Sequence, residues 1–504
     1  MIDCKELRLT HAKDLRVLVP DLDLKVHEGD KLALIGEEGN GKSSLLKFLC
    51  DPSLVVDYLE VSGDVHRGFS RAGYLPQSLP RELEDFSLYE YFFLEEDLDF
   101  ARLYRLAAEL DFASDRLASD QLLGSLSGGE KLKVQLLKLL STPHDILFLD
   151  EPSNDLDLET IEWLESYIKD SKETIVFISH DPAFLSQTAS RILHMEMLRK
   201  KGVARINLAN LSYDDYVEER QARLVKDRQA AMNDRKEFSK KEERFRRVHD
   251  SVQNALREMH DSTQGRLLAK KMHVIKSQEK RLAKEEAGLV KVPEVEKAID
   301  LSFERKASMA GDKFLFQWRN RQLVREGRVL IPDLAWSLRS RQKVAIKGKN
   351  GVGKSSFLKL LLHECQTKTG LKLAYMPQNY EEELNLDQSA LDFLASDGEA
   401  RNQERVRSHL ASLQFTRQEI FHEMSDLSGG QLAKVLLLKL VLSQPDLLIL
   451  DEPTRNLSPL SHGQIVKFFQ EFEGSLVCVS HDRRFMDQVC DQVYELTSKG
   501  LDLK

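Results

Sequence analysis

No stretch of this sequence approaches the roughly 18 consecutive apolar residues that a membrane-spanning helix needs. The first residues, Met1-Ile-Asp-Cys-Lys5, lack the basic-then-apolar profile of a secretory leader. A cytoplasmic chain with no membrane segment is therefore expected. Cysteine is sparse: Cys4, Cys50, Cys365, Cys478 and Cys490 are scattered and form no CxxC pair. That pattern excludes a cysteine-ligated metal or iron–sulfur module and reads as reduced thiols. From Val217 to Lys291 there is no proline, and Gly265 is the single glycine before Gly288. What is present is 41% hydrophobic and 31% charged residues in a chain of 504. That composition suits a globular protein, and the length suits two or three domains.

Charge is unevenly spread. The net charge is −9, yet Glu218 to Lys291 carries 20 Lys/Arg against 13 Asp/Glu, which is +7 and leaves −16 on the rest. A basic insert in an acidic body suits a polyanionic partner, and equally a solvated helical pair.

The flanks of the insert repeat one another. Gly36-Glu-Glu-Gly-Asn-Gly-Lys42-Ser43 matches Gly348-Lys-Asn-Gly-Val-Gly-Lys354-Ser355, and Tyr74-Leu-Pro-Gln77 matches Tyr375-Met-Pro-Gln378. Leu126-Ser-Gly-Gly-Glu130 matches Leu427-Ser-Gly-Gly-Gln431, and Asp150-Glu151-Pro152 matches Asp451-Glu452-Pro453. Ile178-Ser-His180-Asp181 matches Val479-Ser-His481-Asp482. The offset is 301 residues for all but the glycine loops, where it is 312, so the first copy has 11 extra residues between Lys42 and Gln77.

Each glycine loop follows an apolar strand and opens an apolar-periodic helix, the context a phosphate-binding loop requires. Gly36, Gly39, Asn40, Gly41, Lys42, Ser43 and the following Ser44 form the first candidate nucleotide site. Gly348, Asn350, Gly351, Gly353, Lys354, Ser355 and Ser356 form the second. Glycines let backbone N–H groups turn in towards phosphate oxygens, and the helix N-terminus adds partial positive charge. Lys42 and Lys354 suit the β- and γ-phosphates of ATP, and Ser43 and Ser355 suit Mg²⁺. Asp150 and Asp451 end buried-strand patterns, where a carboxylate can hold Mg²⁺ through water. Glu151 and Glu452 follow as candidate catalytic bases, and His180 and His481 as γ-phosphate contacts.

Leu-Ser-Gly-Gly resembles the signature of ATP-binding cassette ATPases. The resemblance implies an α/β fold: two P-loop ATPase domains, at 1–213 and 293–504, joined by an antiparallel helical hairpin at 214–292. It also implies an intramolecular cassette dimer in a monomeric chain. In it, Ser428, Gly429 and Gly430 face the first ATP site, and Ser127, Gly128 and Gly129 face the second. Gln77 and Gln378 join the Mg²⁺ sets by the same resemblance. Within the superfamily the chain resembles class F, on Glu151-Pro-Ser-Asn-Asp-Leu-Asp157 (class pattern Glu-Pro-Thr-Asn-His-Leu-Asp), Ser480-His-Asp-Arg-Arg-Phe-Met-Asp487 and Leu211-Ser-Tyr-Asp-Asp-Tyr216. The second half departs from it: Arg455 and Ser458 stand where the class has Asn and Asp, which points to two unequal sites. No aromatic residue is placed against adenine, with His11 the candidate in the first half.

In the insert, Val217, Leu224, Ala231, Phe238, Phe245, Val252 and Met259 recur every seven residues, as do Leu268, Ile275, Leu282 and Leu289. This predicts two helices packed in a coiled-coil-like seam, with a turn at 260–265, an end at Gly288 and Pro293, and a reach of roughly 40–60 Å. Near the turn, Arg257, Arg266, Lys270 and Lys271 suit RNA phosphates, and Leu256, Met259 and Leu267 suit unstacked bases. The competing reading is that the apolar residues there only close the hairpin, above all Met259 and Leu268 on the seam.

The class F resemblance implies ribosome binding, with the hairpin entering the tRNA exit site and contacting ribosomal RNA and tRNA. The span from each Gln to its signature Ser is 50 residues in both halves, and the chain ends 23 residues after His481. With neither an arm in the first cassette nor a basic tail, the chain resembles the antibiotic-resistance group of that class. The alternatives are the twin-cassette ATPase subunit of an importer, which has no need of a charged hairpin, and a DNA-repair or structural-maintenance ATPase, whose coils interrupt a single cassette.

Overall fold

The computed structural model describes residues 1–504 except 94–96, 199–202, 258–261, 288–300, 304–312, 326, 369, 396–398 and 414. It gives the backbone alone at 198, 203, 255–257, 262–271, 283, 286–287 and 400. Met1–Tyr213 and Glu296–Lys504 form one compact unit, and Asp214–Val295 another.

The first unit contains two copies of a six-stranded sheet. In the first the strand order is Ala72–Leu75, Ile146–Asp150, Thr174–Ile178, Lys31–Ile35, Arg191–Leu198, Val203–Ala209. In the second it is Leu373–Met376, Leu447–Asp451, Ser475–Val479, Lys343–Lys347, Gln492–Thr497, Gly500–Leu503. All neighbours are parallel except the last pair in each. Every residue of Lys31–Ile35, Ile146–Asp150 and Thr174–Ile178 is buried, which is why these segments read as unbroken apolar runs rather than alternating ones. Their parallel alignment brings Gly36, Asp150 and His180 to one carboxyl edge, and the second sheet does the same for Gly348, Asp451 and His481.

The 11 extra residues of the first half have a structural use. Leu59–Arg67 pairs antiparallel with Ile2–His11, making a three-stranded sheet with Val17–Val26. The second half has only the Phe314–Arg325 and Arg328–Arg339 pair among its described residues. Leu7, Leu9, Leu22 and Leu24 of the larger sheet pack into the same core as Leu45, Leu46 and Leu49 behind the phosphate loop.

The second unit consists of helices Tyr213–Arg257 and Ser262–Ala287. Lys241 Nζ lies 3.2 Å from Glu285 Oε2, which brings the end of the second helix back beside the middle of the first, as antiparallel helices do. Ala231 and Ile275 are buried, and Leu224, Phe238, Phe245, Val252 and Leu282 are half-buried among exposed neighbours, following the seven-residue spacing. Ion pairs Glu242–Arg246 (3.2 Å) and Glu243–Arg247 (2.6 Å) line the exposed faces. Two expectations need correcting. Gly265 is inside the second helix rather than in a turn, since a glycine in a helix costs only about 1 kcal/mol against alanine and the remaining turns outweigh it. The first helix, at 45 residues, is roughly 65–70 Å long, more than the expected reach. Of the basic and apolar tip residues, Met259 lies outside the described residues, and for Leu256, Arg257, Arg266, Leu267, Leu268, Lys270 and Lys271 only the helical backbone is described. Gly288, Leu289 and Pro293 also lie outside. Among the described residues no helix is long and apolar enough to cross a membrane.

Glu173 ties the helix Phe100–Glu109 to the first sheet. Its carboxylate accepts from the Tyr167 hydroxyl at 2.8 Å and lies 3.5 Å from Arg102 and 3.4 Å from His144. Burial alone would raise its pKa, but the close approach of His144, the hydrogen bond from Tyr167 and the nearby Arg102 outweigh it and hold it at about 2. A depressed carboxylate contributes stability above its unfolded pKa that is lost as pH falls through the folded one. Glu173→Gln should therefore lower the urea midpoint at pH 7, and should show a shallower loss of stability than the parent between pH 4.5 and 2. Chemical denaturation across that range measures both.

Candidate functional site

Gly36 begins the first phosphate loop because nothing else fits there. Its φ is +145°, and a Cβ would lie 2.2 Å from the carbonyl oxygen of Met195. Gly348 repeats this against Leu496, at 2.5 Å. Asn40 Nδ2 donates to the Met195 carbonyl at 2.9 Å, anchoring the loop to the sheet. The helices Lys42–Cys50 and Lys354–Gln366 then start from left-handed Gly41 and Gly353. Lys42 Nζ donates to the carbonyls of Gly36 and Glu37, both at 2.9 Å, and Lys354 Nζ to the Gly348 carbonyl at 2.6 Å. Burial lowers the pKa of Lys354. Each ammonium is thus held over its own loop, bonded to neutral carbonyls that a phosphate oxygen would outcompete by its charge.

Behind each loop is a hydroxyl–carboxylate pair. Ser43 Oγ donates to Asp150 Oδ1 at 3.1 Å, and in the second half Ser355 is near enough to Asp451 to lower its pKa. Burial raises the pKa of both aspartates, so a cation would be electrostatically welcome there. Two hard oxygen ligands on a rigid strand–helix junction suit Mg²⁺, which takes few protein ligands and completes its shell with phosphate and water.

Glu151 and Glu452 occupy the left-handed region, at φ +53° and +51°, which turns the chain at the strand end and is costly for a non-glycine residue. The Glu151 N–H donates to the Ile178 carbonyl at 3.1 Å and the Glu452 N–H to that of Val479 at 2.9 Å, so the neighbouring strand holds both turns. Burial pushes both carboxyls up to about 8. Each accepts from the backbone N–H of the facing histidine, His180 or His481, at 3.2 Å. Burial and Lys42 lower His180 to about 3, and burial and Lys354 lower His481 to about 4, so both imidazoles are neutral at pH 7. His180 Nδ1 lies 3.0 Å from the Leu457 carbonyl, which can only accept, so the ring proton is on Nδ1. Nε2, which carries no proton in that tautomer, lies 3.1 Å from Glu151 Oε1, and that oxygen is buried without a hydrogen-bond partner. Once ionised, a buried, unpartnered carboxylate whose pKa is raised is a stronger base than an ordinary carboxylate and can take a proton from a water placed against it. In the second site the separation is 3.6 Å, and His481 Nδ1 is buried without a hydrogen-bond partner.

The two halves of the unit meet at these loops. The Gly430 N–H donates to Glu38 at 2.6 Å, and Lys434 pairs with Glu37 at 3.0 Å. Opposite, Lys349 pairs with Asp111 at 2.9 Å and Glu159 at 3.3 Å, and Asn350 donates to the Asp155 carbonyl. A Cβ on Gly129 would lie 2.5 Å from Asn350 and 2.6 Å from Asp155 O, and one on Gly429 would lie 2.9 Å from Glu38. Each signature therefore lies against the loop of the other half. A cavity of about 690 Å³ runs between them, lined by Lys42, Ser43, Ser44 and Gln77 from one half and Lys354, Ser355, Ser356 and Gln378 from the other.

Three features went unread in the sequence. The signature serines are helix N-caps: Ser127 and Glu130 form a capping box, as do Ser428 and Gln431. That pattern was visible. Tyr58, in the Lys42–Gln77 stretch that is longer in the first half, lines the cavity with His11. Contacts such as His180–Leu457 lie 277 residues apart and carry no local signal.

The family model described as "ABC transporter" matches residues 19–154 and 331–455. The chain is 27% identical over 535 residues to ABC transporter F family member 5 of Arabidopsis thaliana, covering 96% of this chain and 73% of that one. It is 29% identical over 529 residues to ATP-binding protein Uup of Escherichia coli K12, covering 96% and 78%. Among solved structures it is similar to the archaeal ribosome recycling factor aABCE1, crystallised with the stalk protein aP1. There the TM-score is 0.60 and the identity 17%, with 97% of this chain and 87% of that one covered.

Glycine-to-alanine changes separate the interface from ordinary helix propensity. Gly463, which has nothing within 4 Å of a Cβ, should gain roughly 0.5–1 kcal/mol as Gly463→Ala. Gly129→Ala should instead push Asn350 and the Asp155 backbone away. Hydrogen exchange should rise by an order of magnitude or more at 349–353 in that variant and stay unchanged in Gly463→Ala.

Proposed function

The chain belongs to the ABC transporter family, and from that membership we propose that it is a cytoplasmic class F ATPase. In this reading it binds the ribosome when ATP joins its two cassettes, acting in translation or in protecting the ribosome from antibiotics. The observation that carries the reading is the basic, seven-residue-periodic helix pair between two complete cassettes, far longer than a linker for cassette pairing needs to be. Its relatives are F family members and ATP-binding proteins, and one similar structure is described as ribosome-bound archaeal Pelota and ABCE1.

The protein hydrolyses ATP. At each site the proposed order of events is the same. The glycine-loop N–H groups and Lys42 or Lys354 take the phosphates, the lysine exchanging its loop carbonyls for phosphate oxygens. Ser43, Asp150 and Gln77 would hold one Mg²⁺, and Ser355, Asp451 and Gln378 the other. Bound there, the cation neutralises phosphate charge and draws electrons from the γ-phosphorus. The opposite signature, Ser428–Gly430 or Ser127–Gly129, offers backbone N–H groups at a capped helix start to the γ-phosphate. Glu151 or Glu452 accepts a proton from the attacking water, whose oxygen bonds to the γ-phosphorus as the β–γ bridge breaks and ADP leaves. Neutral His180 and His481 line the γ-phosphate position without adding charge, and His180 would donate there only on giving up its Nδ1–H bond to the Leu457 carbonyl. The domains divide at 1–213, 214–292 and 293–504. At the tip of the hairpin, Arg257, Arg266, Lys270 and Lys271 meet phosphates of ribosomal RNA or tRNA, with Leu256, Met259 and Leu267 against bases.

Two linked outcomes follow. Glu151→Gln with Glu452→Gln should lower phosphate release by 10²-fold or more while retaining ATP through gel filtration. That double variant should co-sediment with ribosomes in ATP but not in ADP, and Arg266, Lys270 and Lys271 changed to Glu in the same background should abolish pelleting. Failure to pellet at several salt concentrations would overturn the ribosome reading. A gain in antibiotic susceptibility on deleting the gene would separate protection from general translation.

A further inference from the structure

Two residues that carry charge in the segments following Glu151 and Glu452 face one another across the halves. Asp155 stands where the class pattern has His, and Arg455 where it has Asn. Arg455 Nη1 donates to Asp155 Oδ1 at 3.0 Å and Nη2 to Oδ2 at 3.5 Å, a two-pronged contact across the halves. The same Asp155 Oδ1 accepts from Gln378 Nε2 at 3.4 Å, and the Asp155 carbonyl accepts from Asn350 Nδ2. Arg455 is held in turn, since its carbonyl accepts from the hydroxyl of buried Tyr380 at 3.1 Å. Asp155 adopts φ +59°, a left-handed conformation that Asp and Asn tolerate best. By the repeat, the mirror-related positions are Asn456 and Asn154, which cannot form an ion pair.

We propose that Asp155 and Arg455 are a positioning pair for the second ATP site alone: they fix Gln378 and Asn350 of that site against the first cassette before nucleotide arrives. Neither residue touches the reacting atoms. Their effect is to reduce the side-chain and loop freedom lost when nucleotide binds. The first site has no such pair and uses Glu37–Lys434 and Glu38–Gly430 instead. The inequality of the sites is then a difference in what positions them, with the catalytic carboxylate and the phosphate-loop lysine present in both.

The test uses the full chain carrying Glu151→Gln and Glu452→Gln, with one site silenced by Lys42→Ala or Lys354→Ala. Binding of a fluorescent ATP analogue with Mg²⁺ is titrated at the remaining site. Asp155→Asn should weaken the Lys354 site about fivefold and leave the Lys42 site within twofold. Arg455→Asn should do the same, and the double variant should be no weaker than either single one, because both break one contact. Raising NaCl from 0.1 to 0.5 M should weaken the parent's Lys354 site more than that of either variant. No change at the Lys354 site, equal loss at both sites, or additive losses in the double variant would overturn the proposal. The Lys42 site, read in the matching Lys354→Ala preparation, reports the folding of each Asp155 or Arg455 variant. Ribosome pelleting is not read, so failure here leaves the ribosome proposal standing.

Discussion

A glycine with no room for a side chain, pressed against the phosphate loop of the other half, is the constraint on which the rest of the unit depends. Gly129 lies against Asn350 and Asp155, and Gly429 and Gly430 against Glu38. Such close approach requires that the signature start a helix, that its serine cap that helix, and that the opposite loop present its backbone there. It also requires two cassettes related closely enough for both contacts to form at once. The constant 301-residue offset of the motifs from Gln77 to His180 is the linear trace of that requirement.

Against that constraint the chemistry is conservative and the fastening is not. Both sites keep a buried glutamate in a strained turn, a neutral histidine beside it, and a serine near a strand-end aspartate. Around this shared centre the two interfaces diverge. One joins acidic loop residues to a signature helix, and the other joins a basic loop lysine, an asparagine and the Asp155–Arg455 pair. His180 is tied across the interface to Leu457, while His481 Nδ1 has no hydrogen-bond partner. Duplicated sites diverge this way when the residues that perform the reaction are fixed by its geometry and those that hold the halves together are free to find any complementary contact.

The legible parts of this molecule are those with local periods. The glycine loops, the apolar strands ending in Asp150 and Asp451, and the heptad positions around Ala231 and Ile275 could all be read because each is fixed by neighbours within a few residues. The strand Leu59–Arg67 could not, since its partner is the strand Ile2–His11 and its own pattern is mostly exposed. Composition points to a turn at Gly265 because it does not weigh one glycine against the roughly six turns of helix that follow it. Arg455 and Ser458 stood out as departures, but Asp155 acquires its meaning only when Arg455 is seen to face it.

The helix pair poses the remaining physical question, which is why a chain with net charge −9 keeps a segment of +7 between its acidic halves. Ion pairs along the first helix, such as Glu242–Arg246 and Glu243–Arg247, neutralise one another locally and stabilise exposed helical faces. They leave the excess of Lys and Arg uncancelled. An exposed helix is not made more stable by surplus like charge, which repels itself at any separation within a Debye length of about 8–10 Å. The surplus repels itself along the helices and becomes a gain beside an anion, and beside a polyanion each contact also releases counterions. That gain is the physical support for the nucleic-acid partner proposed for the hairpin.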